Sequence, residues 1–264
     1  MTIIAISADK GIPKIQLDQL SQQTSLPLLN KNIQADYLLH IKTERLELQK
    51  RNLGASRKNQ KPLSIFADFT GGKSQYRRLH GGGKGQDIAK AIGLNKIKEP
   101  FVLDLTAGMG ADSFVLATLG CQVTMIERNP IVHALLQDAL DRANLNTDND
   151  LQNVLKQITL INNDASVYLD DLLDQPLPDV IYLDPMFPQK TKSAQVKKEM
   201  QFFHDIVGSD NDSERLFLQA LSKARKRIVV KRPRLAETIS NKVNVDFVIT
   251  GKSTRYDIYL PKKQ

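Results

Sequence analysis

The chain has 264 residues, 41% of them hydrophobic, which allows a sizeable core in one large domain or a large and a small one and excludes a disordered chain. Its net charge is +8 and its pI about 9.4, with Lys and Arg in clusters, which favours a polyanionic partner over an incidentally basic surface. The single cysteine, Cys121, excludes a disulfide framework and fits a reducing cytoplasm; neither a secretory signal nor an apolar run of membrane-spanning length is evident, and the four histidines lack metal spacing, so no metal is expected.

Residues 1–98 are the less regular part. Thr2 to Ile6 and Leu63 to Phe69 carry strand patterns, and Ile33 to Leu39 a helical one. A basic, Asn- and Gln-rich stretch lies between them, with Arg45, Lys50, Arg51, Arg57, Lys58 and Lys61. Gly81-Gly82-Gly83-Lys84-Gly85 is a glycine loop without Walker spacing; it reads equally as a phosphate-touching loop or a plain surface loop.

From residue 99 to 264 strand and helix signals alternate. Strands are expected over Phe101 to Leu105, Gln122 to Glu127, Gln157 to Ile161, Asp179 to Asp184 and Arg227 to Lys231. Helices are expected over Asp112 to Leu119, Pro130 to Ala143, Ser166 to Leu173 and Ser213 to Ala224, and a loop over Asn144 to Asp150. The nearly continuous apolar run Val180 to Leu183 is how a strand covered on both faces reads. Such alternation gives a parallel sheet. Val245 to Ile249 and Arg255 to Leu260 leave no room for a helix between them and should pair as an antiparallel hairpin. The expected fold is α/β, a Rossmann-like sheet of the class I methyltransferase type closed by that hairpin, with a smaller N-terminal α/β region.

The first chemical motif is Asp104-Leu105-Thr106-Ala107-Gly108-Met109-Gly110-Ala111-Asp112, a strand followed by a glycine turn opening a helix. Gly108 and Gly110 would let the backbone approach a nucleoside cofactor, and the helix N-terminus would favour an anionic group. Position 113 is Ser, so the third glycine of the dinucleotide fingerprint is missing, and a tight strand-to-helix turn explains the pair too. Asp112 is either an N-cap or the partner of an ammonium group. Glu127, about 20 residues after the glycines, suits both hydroxyls of a ribose; the alternative is a surface carboxylate at a strand end. Arg128 follows it, otherwise a solvated side chain. Asp164 could accept from an adenine amine, or Asp164 or Ser166 could cap a helix.

The second motif is Asp184-Pro185-Met186-Phe187-Pro188. An aromatic or guanine amine is a poor nucleophile, because its lone pair is delocalised. It needs acceptors for its hydrogens, which the Asp184 carboxylate and the Pro185 carbonyl can supply, and Phe187 can stack on the base. A proline-rich turn after a buried strand is the bland alternative. Lys190, Lys192, Lys197 and Lys198 follow, and Lys223, Arg225, Lys226, Arg227, Lys231, Arg232 and Arg234 flank the last parallel strand.

The runs Asp68-Phe69-Thr70-Gly71-Gly72, Gly81 to Gly85, Thr106 to Asp112, Glu127-Arg128-Asn129-Pro130, Tyr182 to Pro188, Lys197 to Met200, Val229 to Pro233 and Tyr256-Asp257-Ile258-Tyr259 resemble the RsmJ family. The resemblance implies an S-adenosylmethionine-dependent guanine-N2 methyltransferase of 16S ribosomal RNA, with guanosine-1516 as the target. The resemblance runs from around residue 45 to the end. It implies S-adenosylmethionine as cofactor, with contacts at Ala111, Asp112, Glu127, Arg128, Ser166, Val167 and Asp184; the reading of the residues themselves adds Asp104, Gly108, Gly110 and Asp164 to the expected cofactor site. It implies catalytic roles for Asp184, Pro185 and Phe187. It further implies 16S rRNA or the 30S subunit as partner, a methyltransferase domain over 99–264 and an RNA-contacting region over 1–98. From the residues alone, adenine N6 or cytosine N4 of another nucleic acid remains open as the acceptor, as does a non-catalytic RNA-binding assembly factor. A nicotinamide-dependent dehydrogenase is disfavoured by the missing glycine and the terminal hairpin.

Overall fold

Two sheets organise the protein in the computed structural model, which describes residues 2–51, 63–172, 176–185, 206 and 212–261. The small sheet holds β1 (Ile4–Ala8), β2 (Tyr37–Ile41), β3 (Leu46–Lys50) and β4 (Ser64–Ile65) in sequence order. β1 pairs parallel with β2 after the helix α1 (Lys14–Thr24), and the other pairings are antiparallel. The helix expected over Ile33 to Leu39 is therefore replaced by β2. Tyr37 and Leu39 are buried while their neighbours are less so, and pairing on both sides overrides the local apolar spacing. Of the strand expected over Leu63 to Phe69 only Ser64–Ile65 pairs; Ala67 and Phe69 turn into the other core.

Next come α2 (Gly72–His80), a 3-10 turn over Gly83–Gly85 in the glycine loop, and α3 (Asp87–Ile92). The large sheet then alternates: β5 (Phe101–Asp104), α4 (Ala111–Thr118), β6 (Gln122–Ile126), α5 (Pro130–Asn144), α6 (Asn149–Leu155), β7 (Ile158–Ile161), α7 (Ala165–Asp170), β8 (Val180–Leu183), α8 (Ser213–Ala220), β9 (Arg227–Pro233), β10 (Phe247–Thr250) and β11 (Thr254–Tyr259). Its strand order is β10-β11-β9-β8-β5-β6-β7. The five strands β5 to β9 are parallel; β11 is antiparallel to β9 and to β10. This is the sheet anticipated from the sequence, hairpin included. The loop expected over Asn144 to Asp150 is shorter, because Asp148 caps α6 by accepting from the Asp150 and Leu151 amides.

Apolar side chains cover both faces of the large sheet. α5 joins the two sheets. Asn129 caps it, accepting from the Ile131 and Val132 amides, and Pro130 presets its first turn. Leu136, Ala139 and Ala143 then face the large-sheet core, whereas Ile131, Ala134 and Leu135 complete the core of the small sheet. Phe69 stacks on Phe114 of α4 with centroids 4.8 Å apart, bringing residues 67–72 to the turn after β5. No helix among the described residues is long and apolar enough to cross a membrane.

Candidate active site

Parallel strands that start at one edge of a sheet end at the other, and their carboxyl ends are where crossovers leave a crevice. A cavity of about 350 Å³ opens there. Its lining includes Asp104, Thr106, Gly108 and Ala111 after β5, Glu127 and Arg128 after β6, Asp164 and Ser166 after β7, Asp184 and Pro185 after β8, and Lys231 of β9. Residues far apart in sequence thus converge because each ends a strand.

The turn after β5 is held from below by Asp104. Its carboxylate accepts from Ser113 Oγ at 2.5 Å and from the Thr106 amide at 3.0 Å, tying strand to helix. Burial pushes Asp104 up to about 7, and the neighbouring Asp112 and Asp184 charges add to the rise. The two glycines differ. Gly108 has φ +54, and a Cβ there would meet nothing nearer than 3.9 Å. Gly110 has φ +71, but a Cβ would stand 2.8 Å from Leu136 and 3.0 Å from Phe69. Gly108 lines the cavity, whereas Gly110 is a packing glycine beside the core and outside the lining.

Glu127 is 6% exposed. Its carboxylate accepts from the Gly108 amide at 3.0 Å and the Asn129 amide at 2.8 Å, so its orientation is fixed by backbone on both sides. Arg128 donates to Asp212 at 2.8 Å and lies 3.9 Å from Asp164. Asp164 caps α7, accepting from the Ser166 and Val167 amides, which is one of the two readings of that segment. Ser166 Oγ donates to Gln219 at 2.6 Å. Val167 is half exposed and lies outside the cavity lining.

Asp112 is the node of an ionic cluster. Its Oδ2 accepts from Lys231 Nζ at 2.7 Å and from the buried Tyr182 hydroxyl at 2.8 Å; its Oδ1 lies 3.7 Å from Arg77. Lys231 Nζ also donates to Asp184 Oδ2 at 2.8 Å, and the Asp184 amide donates to Thr106 Oγ1 at 2.6 Å. Burial alone would raise Asp112, yet Lys231, Tyr182 and Arg77 hold it below the usual carboxylate range. Burial alone would lower Lys231, yet Asp184 and Asp112 hold it above the ordinary lysine range, so it is an ammonium at neutral pH.

From sequence Lys231 reads only as one of the basic residues flanking the last parallel strand and Tyr182 only as part of a buried strand and a matching run; neither these two nor Arg77 is assigned to the cofactor or catalytic site. The available signal for Lys231 was a lysine directly after the buried apolar run Ile228 to Val230. Phe187 and the lysines from 190 to 198 lie outside the described residues. Arg78, one of the basic residues of α2, donates to Asp148 and is mostly buried. Among the described residues no cluster of His, Cys, Asp and Glu has the makings of a metal site.

The family model "Putative SAM-dependent methyltransferase" matches residues 19–261. A ribosomal RNA small subunit methyltransferase J from Cellvibrio japonicus is 51% identical over 76% of this chain and 77% of that one. The protein of the same name from Chromobacterium violaceum is 44% identical over 92% and 91%. Among solved structures, a SAM-dependent methyltransferase from Neisseria gonorrhoeae superposes with a TM-score of 0.73 at 36% identity, covering 98% of this chain and 97% of that one.

Proposed function

Because the chain belongs to the ribosomal RNA small subunit methyltransferase J family of SAM-dependent methyltransferases, we propose that it methylates the exocyclic N2 of a guanosine in 16S rRNA, and that this base is guanosine-1516. The partner is 16S rRNA or the 30S subunit, met in the cytoplasm. The observation that carries the reading is that Asp184 and Pro185 line the same cavity as Glu127 and Gly108. In this reading a cofactor end and an amine end share one crevice.

The residues present fit S-adenosylmethionine. The cavity lies within the size range of small-molecule sites. Gly108 leaves room for a ligand against the backbone, and the Glu127 carboxylate, oriented by two amides, lines the same cavity, where ribose hydroxyls would reach it. Arg128, Asp164 and Ala165 would border the base, and Ala111 at the start of α4 would border the amino-acid end, with Asp112 Oδ1 as an acceptor for its ammonium. When bound, the cofactor supplies an electrophilic methyl group.

The chain's own part is to orient the amine. In this reading the Asp184 carboxylate and the Pro185 carbonyl accept its two hydrogens, which aims the lone pair out of the base plane. Asp184 can then take the proton that the amine sheds. Lys231 and the Thr106 hydroxyl hold Asp184 in place from its side chain and its amide. Positioning by such preset groups contributes to rate because it needs no reorganisation during reaction. The base must leave its stack to enter, as other base-modifying enzymes require. The region 1–98 and its basic residues would carry the surrounding RNA through phosphate contacts. Nucleoside mass spectrometry of 16S rRNA from cells with and without the gene tests the reading; loss of one N2-methylguanosine on deletion is expected, and an unchanged nucleoside profile would refute it.

A further inference from the structure

We propose that Asp184 and Lys231 together select guanine, presenting acceptors and a donor side by side to the Watson–Crick edge of the base. The inference rests on the exocyclic-amine reading above and names what distinguishes guanine from the other amine-bearing bases.

The juxtaposition follows from strand register. β8 and β9 run parallel with Leu183 opposite Val230, so the next residue on each strand, Asp184 and Lys231, emerges beside the other at the cavity. Lys231 Nζ stands 2.8 Å from Asp184 Oδ2. Its second bond goes to Asp112 Oδ2, which Tyr182 anchors from the core. An ammonium has three N–H donors. Two are committed to these carboxylates, and the third has no hydrogen-bond partner among the described residues, while the side chain is 23% exposed and lines the cavity.

The Watson–Crick edge of guanine reads, in order, an N2 amine donor, an N1–H donor and an O6 acceptor. A carboxylate can take two adjacent N–H groups, one on each oxygen. A cation next to the second oxygen then meets O6. Oδ2 and Nζ, 2.8 Å apart, present an acceptor and a donor side by side, the order that N1–H and O6 require. Adenine and cytosine place a lone pair, at N1 and N3, beside their exocyclic amine. That lone pair would face the second oxygen of Asp184, acceptor against acceptor. The same pair therefore attracts guanine and repels its competitors, the two elements that specificity needs. Asp112 also neutralises part of the Lys231 charge, so the ammonium sits near the transferring centre without leaving it strongly positive.

The test is a cycle of Lys231→Met against the base atom, at saturating S-adenosylmethionine. Small subunits are reconstituted with guanine or 2-aminopurine at the nucleotide that the wild-type protein methylates. 2-Aminopurine keeps the exocyclic amine and lacks both O6 and the N1–H. The wild type should favour guanine by about a hundred-fold, and K231M should narrow that ratio by about ten-fold, as expected for one hydrogen bond to a charged donor. K231R, which keeps a cation, should retain more of the ratio. A wild-type ratio near one overturns the proposal. So does a K231M that slows both substrates equally, as a merely structural lysine would. Should K231M not fold, the wild-type ratio and K231R decide it. Failure of the underlying reading looks different: the wild type would then leave no N2-methylguanosine in the guanine substrate at all.

Discussion

The Gly108 amide donates to Glu127 Oε2 at 3.0 Å, and this one bond joins the turn after β5 to the end of β6. It makes the two proposed cofactor contacts a single unit, since Glu127 both orients the turn and faces the cavity. Glu127→Gln keeps the size and one acceptor oxygen. It is expected to weaken S-adenosylmethionine binding by roughly 1.5–3 kcal/mol, the worth of charge-assisted bonds to ribose, without loss of fold. Titration calorimetry reads it. An unchanged dissociation constant in a folded variant would remove Glu127 from the cofactor site.

The two glycines of the turn separate packing from binding. Gly110→Ala drives a Cβ to within 2.8 Å of Leu136 and 3.0 Å of Phe69, at a positive φ, and should cost about 1–3 kcal/mol of stability. Gly108→Ala meets nothing nearer than 3.9 Å and should lose about 1 kcal/mol from its φ of +54, with the larger effect on cofactor affinity. Denaturant midpoints and binding isotherms for the pair check this. Equal losses of stability would contradict it.

Asp104 gives the unliganded protein a pH signature. Burial pushes its carboxyl up to about 7 in the fold, against 3.8 as the ordinary value. The folded state therefore holds a proton between these limits that the unfolded chain releases. The stability from this group is full below about pH 4 and is lost as pH rises toward 7, on the order of 4 kcal/mol across the window. Asp104→Asn keeps a hydrogen-bonding amide toward Ser113 and Thr106 and has no proton to lose. Relative to the wild type it should gain stability steadily from pH 4 to 7. Parallel stability curves over that range would show that Asp104 does not titrate there.

Asp184→Asn should act mainly on turnover. The amide keeps the shape but gives up the charge that holds the amine hydrogens and accepts the proton, and it leaves Lys231 with one of its two carboxylate partners, Asp112. A loss of about a hundred- to a thousand-fold in kcat is expected, with a smaller change in cofactor affinity. Single-turnover transfer from labelled cofactor measures it. Near-wild-type turnover would take Asp184 out of the chemistry.

Much of the large sheet was legible because strands buried on both faces read as apolar runs, as in Val180 to Leu183. The hairpin β10–β11 was legible because no helix fits in five residues. The small sheet was not. Tyr37 to Ile41 is short, and only its pairing with β1 and β3 decides that it is a strand. α1 carries just two buried residues, Leu20 and Thr24, too few to mark an apolar face. At the site, Glu127 and Asp184 were visible as acids that end strands. Lys231 was not, because its partners lie 47 and 119 residues away and meet it only through the sheet. The capping role of Asp164 was one of two readings available beforehand, and sequence alone did not separate them.

The most direct test supplies unmodified small subunits with the purified protein and methyl-labelled S-adenosylmethionine, then digests the 16S rRNA to nucleosides. The account predicts label in N2-methylguanosine, at one position, and its loss with Asp184→Asn. Label in N6-methyladenosine or N4-methylcytidine, or in no rRNA nucleoside, would contradict it.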